Sequence, residues 1–325
     1  HRWIRTWDKG PAFALSFVSG VVRILRKLRG ELDVVHTHQA LWEAVATGLA
    51  RPSLTGVPTL VQPASSGYYG EAQELARTRG SSVLRRIVLR NTHFAAISDD
   101  IAREWSDLGV PPDRLSRLCS GVDTDVFRPG PSEVEAELLP RPRVVFTGRL
   151  HPQKNLPMLL DAWAEVARRS AANLILIGPG PDRQALMARA EALGVADRVQ
   201  FVGAVPNPAD YLRAADLFVL PSVAEGLSNS LLEAMASALP CVVSDVGGNT
   251  DLVAHGRTGL LVSTPTPEAW AATLLDLIHN PSEALRLGQA ARDRVETEYS
   301  LCAVVDRYVD LYRDLIAREK QRIER

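Results

Sequence analysis

Short apolar runs that alternate with helix-period segments constrain this chain more than any other feature. The runs occupy 33–37, 59–62, 94–97, 115–119, 144–147, 174–177, 199–202, 217–220, 241–244 and 260–262. Val, Ile, Leu and Phe fill most of them without the alternation of a half-exposed strand. That is the pattern of strands covered on both faces in a parallel sheet. Between them, segments such as 156–168 and 184–193 space their apolar residues as a helix does. Regular βα alternation of this kind predicts a doubly wound α/β fold. At 325 residues the chain exceeds one ordinary core and suits two domains, each built on a Rossmann-like parallel sheet.

The stretch 122–142 is rich in proline and acid and carries no strand pattern, so it reads as an interdomain linker. Asp123-Thr-Asp125 within it reads as a turn. The expected division is an N-terminal domain over 1–130, a second domain over 131–300 and a terminal helix over 301–325. Tyr308, Leu311, Tyr312 and Leu315 share one face of that helix, which should dock back towards the N-terminal domain.

Composition narrows the partners. Hydrophobic residues at 46% and charged residues at 23% have the balance of a soluble globular protein. Thirty-seven basic residues against 38 acidic ones, a net charge of −1, give no electrostatic case for nucleic acid. Cys119, Cys241 and Cys302 are scattered and odd in number. Neither a disulfide framework nor a zinc site is expected, and a reducing, cytoplasmic setting fits. No apolar run approaches the ~18 residues of a membrane span. The opening residues His1, Arg2, Trp3 and Arg5 form no targeting motif. Segment 13–29 is apolar on one side and carries Arg23, Arg26, Lys27 and Arg29. It reads either as a helix packed on the N-terminal sheet or as a basic amphipathic helix in peripheral contact with the inner face of a membrane.

Three loops at strand ends carry the candidate chemistry. After 144–147 come Gly148, Arg149 and Leu150, then Lys154 and Asn155. Glycine permits close backbone approach, and Arg149 with Lys154 places two cations where a diphosphate could accept their hydrogen bonds. After 174–177 stand Gly178 and Gly180 with interleaved prolines. This is either a nucleotide-binding turn or a tight strand-to-helix turn, since the full G-x-G-x-x-G spacing is absent. The third loop runs Pro221-Ser-Val-Ala-Glu225-Gly226-Leu227-Ser228-Asn229-Ser230-Leu-Leu-Glu233. A helix should start near Ser228–Ser230, where free amides form an anion site. Glu225 and Glu233 could accept hydrogen bonds from sugar and ribose hydroxyls. Ser230-Leu-Leu-Glu233 equally fits a capping box, with Glu233 tied to the helix start.

These motifs in order strongly resemble glycosyltransferase family 4. G-R-L-x-x-x-K-N is followed by E-G-L-x-N-x-x-L-E-A-M-A. Asp33-Val-Val-His-Thr-His38, Ile97-Ser98, Gly121-Val-Asp123 with Phe127-Arg-Pro129, and Val246-Gly-Gly248 with Thr258-Gly-Leu-Leu261 extend the likeness over nearly the whole chain. The resemblance implies the two-domain GT-B fold and a retaining, metal-independent hexosyltransferase with no cofactor, working in glycan or glycolipid synthesis. Its substrates would be a nucleotide-diphosphate sugar and an acceptor hydroxyl. Arg149 and Lys154 would bind the donor diphosphate, Glu225 the transferred sugar and Glu233 the ribose. The backbone at 226–229 would hold phosphate and residues around Gly203 would flank the base. Ser120 stands where many members carry Asn. Gln62-Pro63 with Ser65, Ser66 and Gly67 stands where many carry a histidine, so no catalytic histidine is assigned there.

Family members open with a strand, a glycine-rich loop and a helix, and none of these precedes Asp33. The N-terminal domain is therefore expected to be incomplete, short of roughly 70–90 residues. Two other readings stay open on the sequence: a non-catalytic nucleotide-sugar-binding fragment and a GT-B nucleotide-sugar epimerase. His36 and His38 share a strand face, too few ligands for a metal by themselves.

Overall fold

A computed structural model describes residues 10–324 of the chain. His1, Arg2, Trp3 and Arg5 lie outside them. The described residues form two compact units, one of residues up to Cys119 together with 305 onwards, the other of 120–304.

The first unit contains α1 (Gly10–Leu28), β1 (Val35–His38), α2 (Trp42–Ala50), β2 (Thr59–Gln62), α3 (Glu71–Arg77), α4 (Ser81–Val88), β3 (His93–Ala96), α5 (Asp99–Asp107) and β4 (Leu115–Arg117). Its sheet is parallel in the order β1-β2-β3-β4. The second unit contains β5 (Arg143–Thr147), α6 (Leu156–Arg169), β6 (Asn173–Ile177), α7 (Arg183–Ala192), β7 (Val199–Gly203), α8 (Ala209–Arg213), β8 (Leu217–Leu220), α9 (Asn229–Ala236), β9 (Cys241–Ser244), α10 (Gly248–Leu252), β10 (Leu260–Val262), α11 (Pro267–His279) and α12 (Pro281–Glu298). Its six-stranded sheet is parallel in the order β10-β9-β8-β5-β6-β7. The terminal helix α13 spans Leu301–Glu324, and the division between units falls within it, after Val304.

Burial explains why the apolar runs become strands. β2, β3, β5, β6, β8 and β9 are buried along their whole length, as strands covered by helices on both faces must be. In the first unit Val35, Ala50, Leu54 and Val57 form one core cluster, against which Val22 and Leu25 of α1 pack. The helix-on-domain reading of segment 13–29 thus has its contact. Phe13 and Leu15 on the same helix stay exposed. A second cluster joins Leu60, Ala95 and Leu118 to Leu315, with Tyr308, Leu311 and Tyr312 packed on it, so the apolar face of α13 docks on the first sheet. Among the described residues no helix is long and apolar enough to cross a membrane.

The segment read as a linker is held firmly to the second unit. The Val122 amide donates to Tyr299 O at 2.9 Å and Leu301 N donates to Val122 O at 3.0 Å. Asp123 closes a turn, its Oδ1 accepting from the amides of Asp125 and Val126. The buried Arg143 side chain donates to Glu135 Oε1 at 2.7 Å and to Ala214 O at 3.0 Å, and Arg141 pairs with Asp216. These bonds place 120–142 in the second unit, whose boundary at 119/120 lies eleven residues upstream of the 130/131 expected.

Candidate active site

The second sheet reverses its strand order at β5. From there β6 and β7 lie on one side and β8, β9 and β10 on the other. In open α/β sheets the crevice at the carboxyl ends of the two strands flanking such a reversal is the ligand site. Here those strands are β5 and β8. The loop after β5 carries Gly148, Arg149 and Lys154; the loop after β8 carries Glu225 to Asn229.

Backbone contact interlocks the loops around this point. Gly148 N donates to Ile177 O at 2.9 Å, Leu150 N to Pro179 O at 2.8 Å and Gly178 N to Gly203 O at 2.7 Å. Gly178 has φ +133°, and a Cβ there would fall 1.9 Å from Gly148 O. Its glycine is thus required by packing against the neighbouring loop, which gives the tight-turn reading its physical basis. Gly203 also has positive φ, but its side-chain direction is open. Gly247 and Gly248 buttress the other loop. A Cβ on either would come within 2.0 Å of the carbonyl oxygen of Glu225 or Gly226 respectively.

Across the reversal the two loops are joined by charge. Lys154 Nζ lies 2.5 Å from Glu225 Oε1, with the side chains 13% and 7% exposed. A pair so buried needs further hydrogen bonds to offset desolvation, and Ser222 Oγ donates one to the same Oε1 at 2.6 Å. Gln153 completes the lacing. Its Nε2 donates to Ala224 O and its carbonyl accepts from Val223 N, both at 2.9 Å. An ammonium has three donors, so the bond to Glu225 leaves Lys154 able to reach a phosphate as well. Arg149 is exposed and makes no hydrogen bond or ion pair with another described residue.

Helix α9 begins beside this pair. Its N-cap is Ser228, whose Oγ accepts from Leu231 N at 3.3 Å, and Ser230 Oγ lies 3.1 Å from Ser228 Oγ. The capping box centred on Ser230 does not form. The residue three beyond the true cap is Leu231, and Glu233 takes no part. The amides of Asn229 and Ser230 meet no acceptor among the described residues, as expected of a helix N-terminus that attracts anions. Gly226 is buried and Leu227 half-buried. The half-buried Glu233 carboxylate has no hydrogen-bond or ion-pair partner among the described residues. Burial pushes its pKa up to about 7, the direction desolvation gives an unpaired acid.

The sequence reading singled out Arg149, Lys154, Glu225 and Glu233 but not Ser222 or Gln153, which hold Glu225 and its loop in place. The Pro221-Ser222 pair at the strand end was the available signal. In the first unit, His36 of β1 and Gln62 at the end of β2 are engaged with α13. His36 Nδ1 lies 2.7 Å from Tyr312 OH, and Tyr308 OH donates to Gln62 Oε1 at 2.8 Å. His36 and His38 rings are 4.4 Å apart. Among the described residues no three His, Cys, Asp or Glu side chains gather as a metal site would require.

Comparison with known proteins agrees with the motifs. Residues 1–126 match the family described as Glycosyltransferase Family 4, and 141–280 match Glycosyl transferases group 1. A D-inositol 3-phosphate glycosyltransferase from Thermobispora bispora is 31% identical, covering 95% of this chain and 77% of its own. A GDP-mannose-dependent alpha-(1-6)-phosphatidylinositol monomannoside mannosyltransferase from Mycobacterium tuberculosis is 30% identical, over 89% of this chain and 78% of its own. In fold, the chain resembles Anabaena HepE, solved in complex with UDP and glucose. The TM-score is 0.80 at 19% identity, covering 91% of this chain and 81% of that one. With two parallel-sheet α/β units, a loop pair at the strand reversal and relatives of this kind over nearly its full length, the chain belongs to the family 4, group 1 glycosyltransferases of GT-B fold.

Proposed function

We propose that this glycosyltransferase moves a sugar from a nucleotide-diphosphate donor to an acceptor hydroxyl, with retention of anomeric configuration and without a metal ion. The Lys154–Glu225 pair at the strand reversal, beside the open amides of α9, carries the proposal. Glycosyl transfer passes through an oxocarbenium-like centre while the leaving diphosphate gains negative charge. Arg149, Lys154 and the amides of Asn229 and Ser230 would stabilise that charge, Lys154 and the amides from positions already fixed by the fold. Gly148 and the backbone of Gly226, Leu227 and Ser228 would let the phosphates approach. Glu225, set by Ser222, would contact the transferred sugar. Glu233 would accept from the ribose hydroxyls, and Gly203, open on its side-chain face, would lie beside the base.

Arg149→Ala is the clean test, because that side chain is exposed and unpaired within the described residues. Its turnover should fall by roughly 10²–10³, the effect of removing one well-placed donor to a developing oxyanion. The melting temperature should stay put. Lys154→Ala should lose as much turnover and also stability, since it leaves a buried carboxylate unpaired. Wild-type turnover in Arg149→Ala would refute the leaving-group role. The anomeric proton coupling of the product, read by NMR, decides retention, and activity in excess chelator decides metal independence. A thermal-shift screen of UDP, GDP and ADP sugars identifies the donor.

A further inference from the structure

A cavity of about 710 Å³ opens in the first unit at the amino ends of β3 and β4. Ligands of α/β sheets bind at the carboxyl ends, so this cavity lies at the opposite end from that position. Arg51, Arg90, Arg114, Arg318 and Arg322 line it. Among the described residues two carboxylates, Asp113 and Glu319, line it with them.

The charges are not balanced within the cavity. Glu319, 2% exposed, is shared by Arg51 at 2.6 Å and Arg322 at 2.8 Å. Arg114 donates to three backbone carbonyls, those of Thr92, Leu89 and Asn91, and to no carboxylate. Its burial works against its charge, the neighbouring Asp113 offsets part of that, and Arg51 adds to it. Arg90 is exposed and has no partner among the described residues. Arg318 pairs with Asp314 at 2.7 Å, a residue outside the lining. His93, bonded to Ser116 Oγ at 2.8 Å, forms part of the wall. Burial, then Arg318 and Arg114, lowers its pKa to about 4, so near neutral pH it offers no further charge. Clustering like charges in a partly buried pocket is unfavourable unless an anion joins them. Guanidinium is the side chain whose planar donors match phosphate oxygens. The volume suits a small molecule or a headgroup.

We infer that this arginine-lined cavity is a binding site for a phosphate-bearing anion, separate from the donor site of the second unit. The phosphate could come from a soluble phosphate ester or from an anionic lipid headgroup, and the experiment separates them. The full chain is titrated with inorganic pyrophosphate by calorimetry and sedimented with phosphatidylcholine vesicles, with and without phosphatidylglycerol. Arg90→Ala/Arg318→Ala is compared with wild type and with Arg149→Ala. Both exchanged residues have exposed side chains, and single Arg90→Gln serves as a second variant should the double one unfold.

A phosphate-specific site predicts that pyrophosphate affinity or phosphatidylglycerol-dependent sedimentation falls about tenfold or more per guanidinium removed, persists in Arg149→Ala and weakens with added salt. Loss confined to pyrophosphate assigns a soluble ester; loss confined to the vesicles assigns a headgroup. Equal binding by wild type and the arginine variants, or no binding of either probe, overturns the inference and leaves the cluster as internal ion pairing. Because the proposed donor site would also take pyrophosphate, Arg90→Ala/Arg318→Ala is titrated in the Arg149→Ala background as well; a further loss there belongs to the cavity, whose lining does not include Arg149, whatever becomes of the donor-site proposal.

Discussion

At the carboxyl ends of the second sheet, backbone meets backbone. Carbonyls of Gly148, Glu225 and Gly226 occupy the space where side chains of Gly178, Gly247 and Gly248 would stand. On the first sheet, side chain meets side chain: His36 within β1 with Tyr312, and Gln62 at the carboxyl end of β2 with Tyr308. The second sheet reverses its strand order, while the first runs β1 to β4 without a reversal among the described residues. A reversal opens a crevice that loops must line closely, and close lining excludes Cβ atoms. Without one, longer side chains tie the strands to a covering helix. Gly178, Gly247 and Gly248 should therefore tolerate no side chain, and the first-sheet contacts should yield in small steps.

The largest expected effect is Gly178→Ala. It places a Cβ 1.9 Å from the backbone oxygen of Gly148 at φ +133°, where neither atom belongs to a flexible side chain. Loss of about 3–5 kcal/mol is expected, in the range reserved for strained or overpacked sites. Gly30→Ala is the control. No atom lies within 4 Å of its added Cβ, and it should change stability by no more than about 0.5 kcal/mol. Urea denaturation of both variants makes the measurement. Equal midpoints for the two would break the contrast between the sheets.

The same contrast explains what could be read from the chain itself. Strands were legible because total burial on both faces leaves an unbroken apolar run, and each run became a strand. Their first residues were less so. His93, Arg143 and Asn173 open β3, β5 and β6 as buried polar residues, satisfied by Ser116, Glu135 and Pro140 among others. No apolar pattern marks such positions. The motif residues Arg149, Lys154 and Glu225 could be named, but the bond joining Lys154 to Glu225 spans 71 positions and is visible only in three dimensions. The helix start near Ser228–Ser230 was legible, but serines at 228 and 230 are equivalent on paper, and only the bond from Leu231 N to Ser228 Oγ singles out the cap. The arginine cavity was invisible, since its lining comes from four well-separated stretches of chain.

Next in size is Glu233, an acid whose folded pKa of about 7 exceeds its ordinary 4.5 through burial. Between these values the folded protein holds a proton that the unfolded chain has lost. The associated stability is present below pH 4.5 and disappears as pH rises through 7, by about 3 kcal/mol at 1.36 kcal/mol per unit. Glu233→Gln should remove that slope and be the more stable protein above pH 7, while binding donor less well. Denaturation midpoints between pH 4 and 8 that fall equally in both proteins would show that this carboxylate is not desolvated. The site would then lose its similarity to a place prepared for a hydroxyl partner.

The smallest effect belongs to the first sheet. Tyr312→Phe removes only the 2.7 Å bond to His36 Nδ1 and keeps the ring that packs over Leu60, Ala95 and Leu118. The expected loss is about 0.5–1.5 kcal/mol, that of one hydrogen bond. Burial and His38 hold the His36 pKa down at about 4. An imidazole kept neutral in this way contributes stability at neutral pH that is lost as pH falls from 6.5 through 4. Tyr312→Phe should shift the whole pH–stability curve downward without removing this acid limb, whereas His36→Gln should flatten it. A loss in Tyr312→Phe as large as that of Gly178→Ala would mean that side-chain contacts on the first sheet are as unforgiving as backbone contacts on the second.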